Sequence, residues 1–526
     1  MTPWWNQFLS DRVKLMINED VATLVQSALL DHEGDLSCEG ALVVKTGKFT
    51  GRATEDKYVV KDDFSGPRID WSNNLNSMSP SQFEEIKIEF LENFNRLGRL
   101  VYVMERSVAA DPQFSLGVRI LTSSATHSLF ARHLFRDPLK NPELGHFTIL
   151  HCPDLKLDAK VLSLKSPAVI AINFTSKEIL IAGTGYAGEI KKAIFSVMNT
   201  ILPELNVLPM HAGANVDKVG RVSVFLGLSG TGKTTLSTDV GTKLIGDDEH
   251  AISPNGIFNL EGGCYAKTYN LTENGEPQVF HAVNRFGAIL ENVILDNEKH
   301  PHFDDKSLTE NGRGSYPLSY ISDAVTSGRG LFPSHIFFLS ADAMGVLPAV
   351  ARLDPQQAMY YFLSGYTAKL AGTEIGLAGI KATFSHCFGA PFMMRHPMTY
   401  AKLLKKYIID HPVNVWLINT GWYGGAYGIG KRFDLSTTRE IIRSVQKGLP
   451  NDLEFWQDPL FGLKIPQSIS GVDNKLLNPR SLWANVEEYD QTASKLMALF
   501  AHNFKKFPSD VSLNDFDPEV RPSGGG

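Results

Sequence analysis

Short runs of apolar and polar positions along the chain predict both strands and helices. Residues 79–97 carry apolar side chains at helical spacing behind a Ser-Pro start, and residues 188–201 predict a second helix. Residues 41–60 predict a strand, a glycine-rich turn and another strand. Further strands are predicted at 221–227, 242–248, 334–340 and 413–420, and further helices at 354–372 and 436–449. This mixture predicts a mixed α/β fold.

The pattern changes near residue 206. There the segment LPELNVLPMHAGANV (202–216) leads into the β-rich apolar run RVSVFLGLSG (221–230). A chain of 526 residues is long enough for two or three domains. We therefore predict two domains, residues 1–206 and residues 207–526.

Composition narrows the class of protein. The formal net charge is −6, so the whole chain has no general attraction to nucleic acid or to an anionic membrane. No run approaches the roughly 20 apolar residues that span a bilayer, and the first residues do not resemble a secretory signal. The four cysteines lie far apart, which argues against a disulfide framework or a structural zinc site and favours a cytoplasmic location. They are Cys38, Cys152, Cys264 and Cys387.

The segment Gly227–Thr234, GLSGTGKT, satisfies the phosphate-loop pattern GxxxxGK[ST]. In such a loop the backbone N–H groups surround phosphate oxygens, the lysine reaches the β- and γ-phosphates, and the final hydroxyl binds Mg2+. The pattern also arises by chance in roughly a few per cent of chains this long. A strand-like run before it and helix-compatible residues after it favour a nucleotide site, with Lys233 and Thr234 in these roles.

An acidic cluster follows the loop. The run TKLIGDDEH (242–250) is apolar and ends in Asp247, Asp248 and Glu249. Three adjacent carboxylates repel one another unless a cation or hydrogen-bond donors offset their charge. A solvated turn is the alternative, but the nearby phosphate loop favours a metal-binding carboxylate at this strand end.

Residue type alone does not assign a role to the other candidate residues. His211 is either a structural histidine or a ligand, and Arg52 and Arg313, beside glycine-rich turns, either bind an anion or face solvent. Lys191 and Lys192 are adjacent on a predicted helix, so only one of them can face a given site. The residues by themselves indicate a protein that uses a nucleotide, with further cations and acids of unassigned role.

Taken together, nine segments resemble the ATP-type phosphoenolpyruvate carboxykinase family in order, over about Leu42 to Arg439. They are TGKFTGR (46–52), YAGEIKKAIFSVMN (186–199), PMHAGANV (209–216), GLSGTGKTTLSTD (227–239), LIGDDEHAIS (244–253), NLEGGCYAKTYNL (259–271), TENGRGSYP (309–317), FLSADAMGVLPAVARL (338–353) and FLSGYTAKLAGTE (362–374). The chain departs from the family pattern at Ala187, where glycine is usual, at Gly314, where valine is usual, and at the insertion-like GGAY (424–427).

The resemblance implies a two-domain carboxykinase fold, with an N-terminal substrate-binding domain (1–206) and a C-terminal P-loop mononucleotide-binding domain (207–526). It implies a carboxy-lyase that converts oxaloacetate and ATP into phosphoenolpyruvate, CO2 and ADP, in gluconeogenesis or anaplerosis. It also implies a bound Mn2+, a Mg2+ that accompanies ATP, and a cytoplasmic monomer that binds neither nucleic acid nor membrane.

The resemblance also assigns residues to roles. For the metals these are Lys192, His211 and Asp248 with Mn2+, and Thr234 with Mg2+, supported by Asp247 and Glu249. For the nucleotide they are Ser229, Gly230, Thr231, Gly232, Lys233, Thr234, Glu276, Arg432, Phe433 and Thr438. For oxaloacetate they are Arg52, Tyr186, Lys192 and Arg313, and for catalysis Arg52, Tyr186, Lys192, Lys233, Lys267 and Arg313.

Three other interpretations remain at this point. A GTP-using carboxykinase shares the reaction but not this pattern of segments. A P-loop kinase needs the phosphate loop but not Lys192, His211 and Arg52. A nucleotide-binding regulator without activity typically lacks metal ligands or the loop lysine, and both are present here.

Overall fold

The computed structural model describes residues 3–72, 75–96, 100–239, 241–369, 381–449 and 453–505. The chain divides into two compact units. The first contains Met1–Leu202 and Phe258–Arg329, and the second contains Pro203–Ile257 and Gly330–Gly526. The first unit ends at Leu202, close to the boundary expected at residue 206. The chain then returns, and residues 258–329 belong to the first unit rather than to a continuous C-terminal domain. The substrate and nucleotide labels of the two domains stay predictions.

The helices and strands of the described residues are short and mixed along the chain. The helices are α1 Val21–Leu30, α2 Pro80–Phe94, α3 Ala125–Leu134, α4 Gly188–Ile201, α5 Lys233–Ser237, α6 Pro277–Val283, α7 Pro355–Ser364, α8 Pro397–Asp410, α9 Leu435–Lys447 and α10 Val486–Phe504. The strands are β1 Lys14–Ile17, β2 Gly34–Leu36, β3 Leu42–Val44, β4 Lys57–Val60, β5 Asn76–Met78, β6 Leu100–Val108, β7 Leu116–Thr122, β8 His146–Cys152, β9 Val169–Asn173, β10 Glu178–Ala182, β11 Leu208–Val216, β12 Val222–Gly227, β13 Lys243–Gly246, β14 Glu249–Ser253, β15 Gly256–Asn259, β16 Gly263–Lys267, β17 Ile289–Glu291, β18 Ile294–Leu295, β19 Pro301–His302, β20 Arg313–Pro317, β21 Arg329–Gly330, β22 Pro333–Ser340, β23 Val350–Leu353, β24 Tyr366–Lys369, β25 Lys381–Phe384, β26 Asn414–Asn419, β27 Trp422–Tyr423, β28 Lys431–Arg432, β29 Phe455–Gln457 and β30 Lys464–Pro466.

The first unit is built on an eight-stranded mixed sheet in the order β1-β6-β7-β8-β10-β9-β4-β5. Helix α2 covers one face, because its apolar residues recur at helical spacing and form a single stripe. Phe83, Ile86, Phe90 and Phe94 of this stripe are fully buried in one core with strand residues such as Leu150. The Ser79 side chain accepts from the backbone N–H of Gln82 and caps the helix, as the Ser-Pro start predicts.

A second sheet of the first unit carries the candidate substrate residue Arg313 and the candidate catalytic residue Lys267. Its five strands follow the order β16-β20-β17-β3-β2. Strand β20 lies between β16 and β17 and pairs antiparallel with both. Residues that are direct partners across such strands present their side chains on the same face.

The second unit contains a large sheet with the strand order β14-β11-β12-β22-β26-β23-β30-β29, and β13 pairs beside β11. Strands β12, β22 and β26 run parallel and are almost wholly buried, as continuous apolar runs predict. The phosphate loop follows the carboxyl end of β12, where ligands commonly bind in α/β sheets.

Most predicted elements are confirmed, including the helix at 188–201, and the mixed α/β class holds. The helix predicted at 354–372 is too long. It ends at Ser364, because Gly365 takes a left-handed φ of 52° and the chain continues as strand β24. Residues 370–380 lie outside the described residues, including the end of the FLSGYTAKLAGTE segment. In the part of the chain that the structure describes, no helix is long and apolar enough to cross a membrane.

Gly314 lies in β20 against the end of α6. A Cβ added there would be 2.5 Å from Val283 Cγ1 and 3.2 Å from Thr268 Cγ2. Valine is stiff about χ1 and cannot swing its methyl group away. The space that the family's usual valine would fill is therefore occupied by Val283.

Gly314→Val is expected to lower the stability of the protein by about 1–3 kcal/mol through overpacking. Adding Val283→Ala is expected to recover most of that loss, because it removes the opposing methyl group. Denaturant midpoints of the wild type, both single variants and the double variant form a double-mutant cycle. Strict additivity of the two substitutions would contradict the contact between these positions.

Candidate functional site

The phosphate loop joins β12 to α5. Gly230 and Gly232 take left-handed φ angles of 84° and 91°, which explains why glycines stand at these positions. Thr231 is fully buried, and its hydroxyl donates to the Leu228 carbonyl at 2.8 Å, which closes the turn. Helix α5 has only five residues, so an anion here would depend on loop N–H groups and Lys233 more than on a long helix dipole.

Lys233 meets two predicted metal ligands at the start of α5. Its Nζ lies 2.6 Å from Asp248 Oδ1 and 3.2 Å from His211 Nε2. His211 Nε2 is itself 2.9 Å from Asp248 Oδ1. Three residues that are distant in sequence therefore form one compact cluster of a lysine, a histidine and a carboxylate.

Strand pairing explains how His211 and Asp248 meet. His211 lies in β11 directly opposite Glu249 of β14, and Asp248 immediately precedes β14. His211 Nδ1 lies 3.1 Å from the Phe388 carbonyl, which can only accept, so this nitrogen carries the proton. Nε2 faces Asp248, and in its unprotonated form it can offer a lone pair to a cation.

This donor set fits a divalent cation. It offers one imidazole nitrogen and one carboxylate oxygen, and the other imidazole nitrogen is held by a backbone carbonyl, as in many metal sites. Asp247 and Glu249 flank Asp248 and are both buried. The role of Lys192 as a further ligand and that of Thr234 with Mg2+ stay predictions.

Part of the predicted adenine segment reaches the phosphate loop. Arg432 Nη2 donates to the Gly230 carbonyl at 3.2 Å, and its Nε donates to the Thr420 carbonyl at 3.1 Å. Phe433 and Thr438 are buried. The centroid of the Phe433 ring lies 4.6 Å from that of Tyr423, and the Thr438 hydroxyl donates to the Asp434 carbonyl at 3.1 Å. Their contacts with a nucleotide remain predictions, as does that of Glu276, which precedes α6 in the first unit.

In the first unit, the five-stranded sheet brings two predicted cations together. Arg313 of β20 is the direct partner of Lys267 in β16 on one side and of Glu291 in β17 on the other. Loss of hydration, and then the charge of Arg313, lower the pKa of Lys267. The register thus places a lysine, an arginine and a carboxyl side by side.

Tyr186 is buried just before α4 and packs against a second tyrosine. Its ring centroid lies 5.8 Å from that of Tyr265, whose hydroxyl donates to Glu291. Burial raises the pKa of Glu291 to about 7, although bonds from Tyr265 and the Ala187 N–H, and the charge of Arg313, oppose this shift. The backbone of Ala187 is right-handed, with φ −63°, so an alanine replaces the family's usual glycine without strain.

The loop that carries Arg52 is tied down by two asparagines. Asn292 accepts from the Thr46 N–H at 2.9 Å and donates to the Thr46 hydroxyl at 2.8 Å. Asn311 donates to the Thr50 carbonyl at 2.7 Å and accepts from Arg313 at 2.9 Å. The supports of Arg52 and Arg313 are therefore linked.

Helix α4 separates the roles of its two adjacent lysines. Lys191 is buried and pairs with Glu261 at 2.6 Å. Lys192 is only partly buried, and its ammonium lies 5.0 Å from the centroid of the Phe195 ring. The expectation that the two lysines face different surroundings is confirmed.

Sequence reasoning did not identify Tyr265, Glu291 or Asn292, which surround the predicted substrate residues. A signal existed in the run GAILENVIL (287–295), because two polar residues interrupt an apolar stretch. The pairing of β17 with β20 is needed to assign their partners.

Known proteins similar to this chain cover most of its length. A family model described as phosphoenolpyruvate carboxykinase matches residues 13–475. Similar curated relatives, named phosphoenolpyruvate carboxykinase (ATP), occur in Brucella suis biovar 1, with 46% identity over 98% of this chain and 96% of the relative, and in Brucella anthropi, with 47% identity over 96% and 94%. A relative of the same name from Parvibaculum lavamentivorans is 47% identical over 95% of this chain and 92% of its own.

Proposed function

This chain belongs to the ATP-type phosphoenolpyruvate carboxykinase family, and from that premise we propose that it converts oxaloacetate and ATP into phosphoenolpyruvate, CO2 and ADP. The observation that carries the proposal is the cluster of Lys233, His211 and Asp248 beside the phosphate loop. It offers a phosphate-binding cation and two ligands for a divalent metal within 3.2 Å of one another. A reaction that transfers a phosphoryl group requires both.

The second unit supplies the nucleotide side of the reaction in this proposal. Lys233 and the loop N–H groups bind the phosphates of ATP, and Arg432 extends the site toward the rest of the nucleotide. His211 and Asp248, with Lys192, hold Mn2+, and Thr234 binds the Mg2+ that accompanies ATP. A divalent cation supplies positive charge that stabilises charge developing on phosphate and enolate oxygens.

The first unit supplies the side that binds oxaloacetate. Arg52 and Arg313 are guanidinium groups, which bind carboxylates in a bidentate manner, and Tyr186 orients the substrate. Loss of CO2 leaves an enolate with negative charge on oxygen. The neighbouring charges of Arg313 and Lys267 stabilise that oxyanion before it accepts the γ-phosphoryl group of ATP.

An assay of phosphoenolpyruvate formation from oxaloacetate tests the proposal. We expect product with ATP and Mn2+, little product when GTP replaces ATP, and loss of product when a chelator removes the divalent cations. Product with GTP alone would indicate a GTP-using carboxykinase. ATP binding without product under any condition would overturn the proposed reaction in favour of a kinase of another substrate or a regulator.

A further inference from the structure

Glu291 is a buried carboxyl group at the end of an apolar strand. It ends β17, is 1% exposed, and follows the apolar residues Ile289 and Leu290. Its direct strand partners are Arg313 in β20 and Val44 in β3. Burying a carboxyl group costs several kcal/mol unless hydrogen bonds or charges compensate it. The partners of Glu291 therefore indicate why it is there.

One oxygen of Glu291 holds the turn that presents Tyr186. Glu291 Oε1 accepts from the Ala187 N–H at 3.3 Å. Ala187 follows Tyr186 directly and immediately precedes α4, so its N–H is one of the groups that a helix start leaves without an intrahelical partner. A carboxyl group at this end of the helix also has the favourable sign of charge.

The other oxygen holds the ring against which Tyr186 and Arg313 pack. Glu291 Oε2 accepts from the Tyr265 hydroxyl. The guanidinium carbon of Arg313 lies 5.5 Å from the centroid of the Tyr265 ring, and the Tyr186 ring lies 5.8 Å away. Because Glu291 fixes the hydroxyl end of Tyr265, it limits the tilt of a ring that supports both groups.

Packing around this bond leaves little freedom. A Cβ at Gly188 would lie 2.6 Å from Tyr186 Cε1 and 3.0 Å from Tyr265 Cε1. The first residue of α4 therefore has to be glycine for the two rings to pack as they do. Such close packing transmits a displacement of one ring to the other.

We propose that Glu291 is a positioning residue for oxaloacetate, which holds Tyr186 through the Ala187 N–H and Arg313 through Tyr265. The inference rests on the proposed function, because it takes Tyr186 and Arg313 as substrate-binding groups. Glu291 itself does not touch the substrate. Its effect is on geometry, and a misplacement of about 1 Å can reduce a rate about a hundredfold.

Steady-state kinetics of Glu291→Ala and Glu291→Gln test this role. We expect Glu291→Ala to lower kcat/KM for oxaloacetate about 10- to 100-fold while the KM for ATP changes less than about twofold. Glu291→Gln is expected to retain most of the activity, because its amide oxygen accepts from the Ala187 N–H and its amide N–H donates to the Tyr265 oxygen. Unchanged kinetics for oxaloacetate in Glu291→Ala, or an equal loss for ATP, would overturn the proposal.

Glu178→Ala is the matched control. Glu178 is also a buried carboxylate of the first unit, paired with Lys87 at 2.7 Å, but it lies in the other sheet. We expect this variant to change stability without changing the KM for oxaloacetate. A defect with oxaloacetate in Glu178→Ala as large as that in Glu291→Ala would show that loss of any buried carboxylate of this unit has the same effect, and it would overturn the proposal.

Two further measurements keep the test decisive. If Glu291→Ala does not fold, Tyr265→Phe takes its place, because this substitution removes only the hydroxyl group that donates to Glu291. We expect Tyr265→Phe to raise the KM for oxaloacetate. An unchanged KM would contradict the proposal. Calorimetric binding of oxalate, a small dicarboxylate, is expected to weaken in Glu291→Ala or Tyr265→Phe but not in Glu178→Ala. Oxalate binding tests the positioning role of Glu291 even if the wild-type protein forms no phosphoenolpyruvate. That lack of product would contradict the proposed reaction and not the positioning role.

Discussion

Asp248→Asn is expected to lower the rate of phosphoenolpyruvate formation about a thousandfold or more. The substitution removes the negative charge that lies 2.9 Å from His211 Nε2 and 2.6 Å from Lys233 Nζ. A catalytic divalent cation contributes several kcal/mol of charge stabilisation, and each 1.4 kcal/mol is about a tenfold change in rate. ATP binding is expected to change little, because the loop N–H groups and Lys233 remain. Turnover and the Kd for ATP, measured on the same protein, test this.

The control for this prediction is Asp217→Asn. Asp217 follows β11 in the same unit and pairs with Arg221 at 2.8 Å, so the same chemical change is made in an ion pair outside the cluster. We expect normal turnover from it. Equal losses of turnover and of ATP binding in Asp248→Asn would mean that metal and phosphate roles are not separate.

Lys233→Met is expected to weaken ATP binding about a hundredfold and to reduce turnover at least as strongly as Asp248→Asn does. The reason is the loss of the one phosphate-loop side chain with a formal positive charge. Mn2+ binding in the absence of nucleotide is expected to stay equal or to become tighter. The Lys233 ammonium contacts the same His211 and Asp248 atoms that would ligate the metal, so its removal ends a competition between two cations.

Free Mn2+ measured by electron paramagnetic resonance, together with ATP titration, separates these two effects. Lys243→Met is the control, since Lys243 is an exposed lysine at the start of β13 in the same unit. It is expected to alter neither affinity. A parallel loss of Mn2+ and ATP affinity in Lys233→Met would contradict the competition.

The sequence identifies the phosphate loop and the acidic cluster as candidates because each is a short, continuous segment. The phosphate loop occupies eight consecutive residues, and Asp248 ends the next apolar run. Their relation needs only a strand, a glycine-rich turn and a helix start. His211 is harder, because its contact with Asp248 depends on the antiparallel pairing of β11 and β14.

The substrate half could be predicted only in part. Arg313 was a candidate from its residue type and Lys267 from the family resemblance, but the run that holds Glu291 does not reveal which residues it pairs with. Only the register of β16, β20 and β17 brings the three together. The overlong helix prediction at 354–372 has a similar cause. Apolar residues continue at helical spacing beyond Ser364, and one glycine reverses the backbone.

The space shared by Gly314 and Val283 bears on how this sequence can change over generations. Because one methyl group fills a volume that either residue can supply, a valine at position 314 fits without overpacking only when the residue at position 283 is smaller. Gly314→Val made first overpacks this space, whereas Val283→Ala made first leaves a cavity in it. Introducing a valine at position 314 of this chain by itself would therefore weaken the protein, and the two positions have to change together for the chain to accept it.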